Sequence, residues 1–528
     1  MRSEGIAVDV RASNAAIQAP REGIAQRYAA TLAAQIVQLA AGVAGAGIVP
    51  RALGPAAYGD YNFLLTMAAT IRGFTEPSVQ QAFFTFSAQE DRTGALTRLY
   101  GLWVLLQLGI ILALISTAAA TGWSGRIWPG QRTDAILLVT MVDWAGFLVI
   151  SLKQLGDAKG LSVKPQLIGA ASAVTLLVGL VVLSATAHLT FVSYAVLNIG
   201  AAAATIVPLA YWLLVTHRLE CWSGSARATA RVYISRWWTY SRPLILVEYY
   251  TPLVGLLSTY FVQAWYGSVE QGQLALASRW AAVVLLFTGS ATGIFWREVA
   301  SAIGAGDHAR ATRNYVTFSQ SLILITALMS MWLSIASPVL VTRFAGADYT
   351  RAIPVLAIMA FYPLQQTFGQ LNGTAFKAAG RTAEYRNISI ALSIPDMLLT
   401  YWLIAPADAI VPGLDLGALG VAVRMVIYGL ISVQVYEWRN AKYFDIPYAR
   451  LLRDRLRVVG AVSAGGLALW TFNRVLVMTF RLDEGAALAC GSLLYGTAAA
   501  WYLSRTVAAQ SLRALIVGRR AAGTDRGN

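Results

Sequence analysis

Fourteen stretches of about twenty mainly apolar residues follow one another along the chain, separated by short polar turns. They fall near 28–49, 61–84, 99–120, 134–152, 165–186, 190–214, 243–265, 273–295, 315–340, 352–375, 388–405, 414–436, 457–478 and 486–503. A helix rises about 1.5 Å per residue, so about 20 residues cross the ~30 Å hydrocarbon core of a bilayer. Lipid offers no partner to backbone N–H and C=O groups, so a segment of this length and composition spans as a helix. The fold class is therefore all-α integral membrane, with about 14 transmembrane helices. Composition agrees: 57% of residues are hydrophobic and only 13% charged, against roughly a quarter charged in soluble domains. The least apolar windows are the second, which holds Arg72, Glu76 and Pro77, and the eleventh, which holds Pro395 and Asp396. Without those two the count is twelve.

The basic residues assign an orientation. With the N-terminus inside, 31 of the 41 Lys and Arg fall in inner segments, seven in outer loops, and three (Arg72, Arg279, Arg424) within spans. Such a bias places both termini in the cytoplasm. Residues 1–27 lack the apolar core and cleavage site of a signal peptide and are expected to be a cytoplasmic tail, as is 504–528. The net charge of +15 is spread over short clusters rather than gathered in a block, so no nucleic-acid partner is expected. The longest inner stretch, 215–242, is too short for a catalytic domain.

Internal similarity divides the chain further. Gly54 to Gly59 and Gly267 to Gly272 are both Gly-x4-Gly, 213 positions apart. Gly130 to Ala135-Ile136 resembles Gly346 to Ala352-Ile353, about 217 apart, and Lys159 has a counterpart in Lys377, 218 apart. Three matches in order at nearly one offset suggest two six-helix lobes of the same orientation, 28–214 and 243–436, joined by a linker at 215–242 and followed by two additional helices in 437–503. Duplicated bundles are a common transporter plan, with the binding site between the halves.

Ionisable residues inside a bilayer cost at least ~2.5–3.5 kcal/mol each on insertion scales and so face a cavity or a partner. Arg72 and Glu76 are four apart and share a helix face, either as a self-satisfied pair or as cavity residues. Arg279 lies in the eighth span, the counterpart of the second if the repeat holds, though about two turns shallower and within snorkelling reach of the outer interface. Two guanidiniums facing one cavity would repel unless an anion lay between them, and the planar fork of arginine suits a pyrophosphate. Arg424 is a weaker member of that set. Glu76, Asp143, Glu248 and Asp396 are candidates for ion coupling, with helix-to-helix hydrogen bonds as the alternative role and an Asp396–Arg424 pair as another. Pro252 and Pro363 are hinge candidates. The first span carries Gly42, Gly45 and Gly47, a small-residue face that lets another helix approach closely.

No Gly-x4-Gly-Lys-Ser/Thr phosphate loop, nucleophile motif or cofactor fingerprint is present. Cys221 and Cys490 lack nearby partners, and His188, His217 and His308 are scattered, so no metal and no cofactor is expected.

The run Val49-Pro-Arg-Ala-Leu-Gly-Pro-Ala-Ala-Tyr-Gly-Asp-Tyr61 resembles the first-loop signature of bacterial polysaccharide flippases, which carry lipid-linked oligosaccharides. Tyr266 through Ala277 and Gly304-Ala-Gly-Asp307 look like the start of their second half. Phe344 to Tyr349 and Phe376 to Arg381 fit the loops around the tenth helix. The likeness covers most of the chain, with loose motifs in the correct order. It implies membership of the multidrug/oligosaccharidyl-lipid/polysaccharide exporter superfamily and a multi-pass place in the bacterial inner membrane. It also implies transfer of an undecaprenyl-pyrophosphate-linked repeat unit between leaflets for O-antigen, capsule or exopolysaccharide. Implied partners are the lipid-linked oligosaccharide, membrane lipid, and polysaccharide polymerase and chain-length regulator proteins. Related flippases hold the pyrophosphate on cationic residues of the second and eighth helices, which matches Arg72 and Arg279. Many relatives carry an acid near the outer end of the seventh helix. Here that region reads Leu257-Ser-Thr-Tyr-Phe261 and the acid, Glu248, lies nearer the inner end. Two other readings stand beside this one: a multidrug or small-metabolite exporter, and a membrane-embedded polymerase or glycosyltransferase.

Overall fold

The computed structural model describes residues 24–505 apart from 77–78, 90–93, 159–160, 162, 214–225 and 243–244. The described chain is helical throughout. In order, the helices are α1 (Ile24–Thr75), α2 (Val79–Gln89), α3 (Gly94–Ala120), α4 (Ser124–Ile127), α5 (Thr133–Ala158), α6 (Val163–Ala185) and α7 (Phe191–Tyr211). Next come α8 (Ala226–Ser241), α9 (Ile245–Gly304), α10 (His308–Leu340), α11 (Ala352–Met359), α12 (Tyr362–Ala378) and α13 (Thr382–Ile404). The series ends with α14 (Gly417–Val423), α15 (Gly429–Tyr443), α16 (Tyr448–Phe480) and α17 (Glu484–Arg505). Five-residue π-helical turns follow α10 at Val341–Ala345 and join α14 to α15 at Arg424–Tyr428.

Among the described residues, ten helical stretches are long and apolar enough to cross a bilayer. They take up eleven of the fourteen windows, because α1 carries the first two. The remaining windows fall on α9, which carries two, and on α11 and α12, which share one. The sharing has a local cause: Ala360 and Phe361 leave the helix, and Pro363 sits in the first turn of α12, where its missing N–H costs nothing. The second window is also interrupted, since α1 ends at Thr75 and Glu76 is not helical. A residue before proline is pushed away from helical geometry, and Pro77 follows. The eleventh window is continuous in α13 with Pro395 inside it.

The two longest helices must turn back on themselves. Straight helices of 52 and 60 residues would run about 78 and 90 Å, far more than one crossing. α1 breaks at Gly54 (φ 73°, ψ 167°) and α9 at Gly267 (φ 78°, ψ −172°). This left-handed φ is open to glycine at little cost, and both glycines open a Gly-x4-Gly motif. Pro252 lies within a helical part of α9 and does not break it.

Helices α1 and α9 pack on one another more extensively than any other pair. Two buried apolar clusters serve the first-half helices, one around Phe83, Leu96 and Leu209 and one around Phe63, Ile115 and Val139. Two others serve the second half, around Phe295 and Tyr315 and around Leu324 and Phe368. A fifth, with Val49, Tyr58, Leu276 and Tyr349, joins the halves near the two glycine turns. The outer surface is apolar: Leu105, Val178, Leu398, Leu467 and Leu493 are each at least half exposed, as lipid-facing positions require. The chain is a multi-pass membrane protein. The linker expected at 215–242 contains α8, whose Tyr233 and Trp237 pack with Phe83 and Phe86.

Candidate functional site

A cavity of about 630 Å³ opens among α1, α5, α6, α7 and α9. α1 contributes both arms: Gln38, Gly42, Gly45 and Val49 before the Gly54 turn, and Tyr58, Asn62 and Arg72 after it. α5 adds Asp143, α7 adds Tyr194 and Asn198, and α9 adds Arg279. The fold thus brings Arg72 and Arg279 to one cavity despite their different depths. Gly42 has nothing within 4 Å of where a Cβ would sit, whereas a Cβ at Gly47 would lie 2.8 Å from Phe344. The small-residue face of the first span therefore admits a close neighbour at Gly47 and open space at Gly42.

The two arginines differ in state. The Arg72 Nε donates to Asp143 Oδ2 at 2.8 Å and its Nη2 to Oδ1 at 3.3 Å. Its guanidinium also lies 4.4 Å from the Phe147 ring centre. This bidentate fork fixes the side chain. Arg279 is exposed to the cavity, and among the described residues no carboxylate pairs with it. Tyr58, Tyr61 and Tyr194 lie within its electrostatic reach. The Tyr61 and Tyr194 rings stand 4.7 Å apart, forming an aromatic wall. Among the described residues Asp143 is the only carboxylate of the lining, so the cavity holds one positive charge in excess.

Glu76 does not join this group. With the helix ended, the four-residue spacing to Arg72 loses its geometry. Glu76 turns into the first half, where Tyr100 donates to Oε1 at 3.1 Å. Of the two readings of the spacing, the self-satisfied Arg72–Glu76 pair does not form: Arg72 pairs with Asp143 instead. Arg424 is absent from the lining of this cavity. It donates to Ser258 at 2.7 Å and lies 3.5 Å from Asp396, tying α9, α13 and the second π-turn together. The Asp396–Arg424 pair named as the alternative is the arrangement found. Glu248 lies on α9, but its side chain is outside the described residues.

Two features escaped sequence reasoning. Lys153, counted with an inner loop, sends its amine back to within 3.5 Å of the Gln38 oxygen at the cavity edge. Arg455, counted with an inner basic cluster, is buried on Glu437. It also donates to Ser319 at 2.8 Å and lies over the Phe368 ring. Glu437 is completely buried, but it falls just past the twelfth apolar window and two residues before Arg439, so nothing in the sequence set it apart from a polar loop.

One end of the cavity is closed by the two glycine turns. Asp60 Oδ1 accepts from Ser268 Oγ at 2.5 Å, from Gln263 at 3.4 Å and from the amide of Gln131. Tyr260 donates to the Arg126 carbonyl at 2.8 Å, and Tyr349 to the Pro50 carbonyl at 3.2 Å. A Cβ on Gly59 would sit 1.8 Å from the Ser268 carbonyl oxygen, and one on Gly272 2.1 Å from that of Pro55. Ser268 and Pro55 each follow the first glycine of their motif. The second glycine of each motif thus meets the first turn of the other, in a reciprocal contact.

This architecture defines a class: multi-pass helical membrane proteins with two packed helical groups. The cavity lies not midway between them, as the repeat suggested, but within the first, with Arg279 as the second group's contribution to its lining. No protein-family model matches the sequence, and no curated protein does. Solved structures do match in fold. The lipid II flippase MurJ, in an inward closed conformation, has a TM-score of 0.64 at 15% identity, over 90% of this chain and 98% of that one. An inward-facing multidrug resistance MATE transporter of the MOP superfamily has 0.57 at 15% identity, over 83% and 98%. A MOP-superfamily transporter from Pyrococcus furiosus, described as having a binding pocket of reversed polarity, has 0.53 at 14% identity, over 83% and 97%. The chain shares the fold of these transporters.

Proposed function

We propose that the chain is a flippase that moves an undecaprenyl-pyrophosphate-linked oligosaccharide repeat unit across the inner membrane by alternating access, for O-antigen, capsule or exopolysaccharide. The observation that carries this reading is the meeting of Arg72 and Arg279 in the lining of one cavity, where the single carboxylate among the described lining residues, Asp143, pairs with Arg72. An anion in the cavity engages Arg279 more readily than Arg72, because Arg72 is held by Asp143. A pyrophosphate has enough oxygens to engage Arg279 and then compete with Asp143 for Arg72. The sugars occupy the tyrosine- and amide-lined space. The lipid chain stays in the bilayer and lies along the last two helices, where α16 and α17 line an apolar groove of about 440 Å³.

The charge bias puts the glycine-turn end outside and both termini in the cytoplasm. The structure then corresponds to a state closed outside, and transport requires the reciprocal glycine contact to part. Asp143 is the observation that favours the second reading, a cation-coupled exporter of drugs or small metabolites, since an acid in a cavity attracts cations. The excess of arginine opposes it. No catalytic step is assigned to the chain.

Replacing Arg279 by Ala is expected to abolish surface polysaccharide while the protein still inserts, as scored by immunoblotting of membranes. Arg72→Ala is expected to do the same. Normal surface polysaccharide in both variants would refute the site. Efflux of cationic dyes lost in Asp143→Asn with polysaccharide intact would favour the exporter.

A further inference from the structure

A second cavity, of about 750 Å³, lies beside the sealed end on the opposite face of α1. The central cavity takes Gly42, Gly45, Ala46 and Val49 from α1, and this one takes Ala44, Gly47, Ile48 and Arg51. At about 100° per residue these sets occupy opposite faces of one helix, so α1 itself is the wall between the two spaces. The opposite sides come from Ser184 and Ala187 at the end of α6 and from Arg343 and Phe344 in the π-turn after α10. The cavity therefore sits at the seam between the two halves.

Its charge is unbalanced. Arg51 is exposed and donates to the Arg343 carbonyl at 3.3 Å, which draws the two arginines together. Asp483 pairs with Arg343, and among the described residues no carboxylate pairs with Arg51. The remaining walls are small or apolar. One uncompensated guanidinium, with the paired Arg343 beside it and apolar walls around it, fits a ligand that is anionic at one end and greasy at the other.

We propose that this cavity is a second binding site, for the phosphate of an amphiphilic lipid, with Arg51 as the main contact and Arg343 as the second. The phosphate belongs either to the polyprenyl-pyrophosphate cargo as it leaves past α1 or to an anionic phospholipid of the bilayer. Only the cargo assignment rests on the flippase reading.

The test uses the full-length protein in neutral detergent carrying Arg279→Ala, which disables the central cavity. Binding of undecaprenyl pyrophosphate, phosphatidylglycerol, inorganic pyrophosphate and diacylglycerol is measured by native mass spectrometry. The site predicts that at least one of the two phosphate lipids binds, that diacylglycerol does not, and that adding Arg51→Gln weakens the lipid tenfold or more. Arg51→Lys is expected to retain most of the binding, which separates lost charge from lost folding. Preference for the pyrophosphate lipid identifies cargo; preference for phosphatidylglycerol identifies bulk lipid. Lipid binding unchanged by Arg51→Gln, no lipid binding in the Arg279→Ala parent, or inorganic pyrophosphate binding as tightly as either lipid would each overturn the proposal. Because the readout is binding with the central site already removed, normal export by Arg279→Ala would sink the flippase arginines and leave this site standing.

Discussion

At Arg72 the guanidinium has two carboxylates within reach of the sequence argument, and the backbone decides between them. Glu76 is four residues away, but the helix ends at Thr75, so the nearer acid in sequence is the wrong one in space. Asp143, 71 positions on, takes the bidentate bond. Spacing rules hold only while a helix continues, and Pro77 was the warning. The pairing itself could not be read from sequence, because it depends on how α1 and α5 are packed. Asp143→Asn removes the competitor for Arg72 and is expected to tighten pyrophosphate binding several-fold while slowing release; an unchanged dissociation constant by calorimetry would contradict this. Arg279, which has no such competitor, is expected to lose about tenfold to a hundredfold of affinity on replacement by Ala, from the ~1.5–3 kcal/mol of a charged hydrogen bond. Arg455 and Glu437 carry a stability prediction. Glu437→Gln leaves a buried guanidinium without its counter-charge, a loss of ~3–5 kcal/mol, whereas replacing both by apolar residues of similar volume is tolerated. Detergent unfolding of the two variants separates these outcomes.

Among the elements, the apolar windows were legible because hydropathy reports a helix that faces lipid, whatever its neighbours. The breaks were only partly legible. The Gly-x4-Gly repeat marked two turns, and its spacing now has a reason: the first glycine adopts the left-handed φ, and the second lets the opposing backbone come within the space a Cβ would fill. Pro363 marked a break that is present, and Pro252 one that is not. The π-turns at Val341–Ala345 and Arg424–Tyr428 gave no sequence signal. Gly272→Ala forces a Cβ against the Pro55 carbonyl, so the seal is expected to stand open. A cysteine at Asn62, below the seal, in a chain lacking Cys221 and Cys490, should then react with an impermeant maleimide added outside. In the Gly272 parent it should be protected; equal labelling of both would contradict the role of the glycine contact.

For the molecule as a whole, separate apolar cores in the two halves and one shared cluster near the glycine turns suit two bodies that rock about a common contact. The fold class followed from the sequence because lipid imposes one solution on every apolar window. The site followed only in part: a cation count singles out residues stranded in spans, but not which of them share a cavity. Arg72 and Arg279 do; Arg424 is occupied elsewhere by Ser258 and Asp396. The most direct measurement is flipping in proteoliposomes that carry a polyprenyl-pyrophosphate-linked oligosaccharide, followed by glycosidase access to sugar newly exposed across the bilayer. The two-arginine cavity predicts transfer by the native chain and at least a tenfold slower rate for Arg72→Ala and for Arg279→Ala. Native rates in both variants, or no transfer by the native chain, would contradict it.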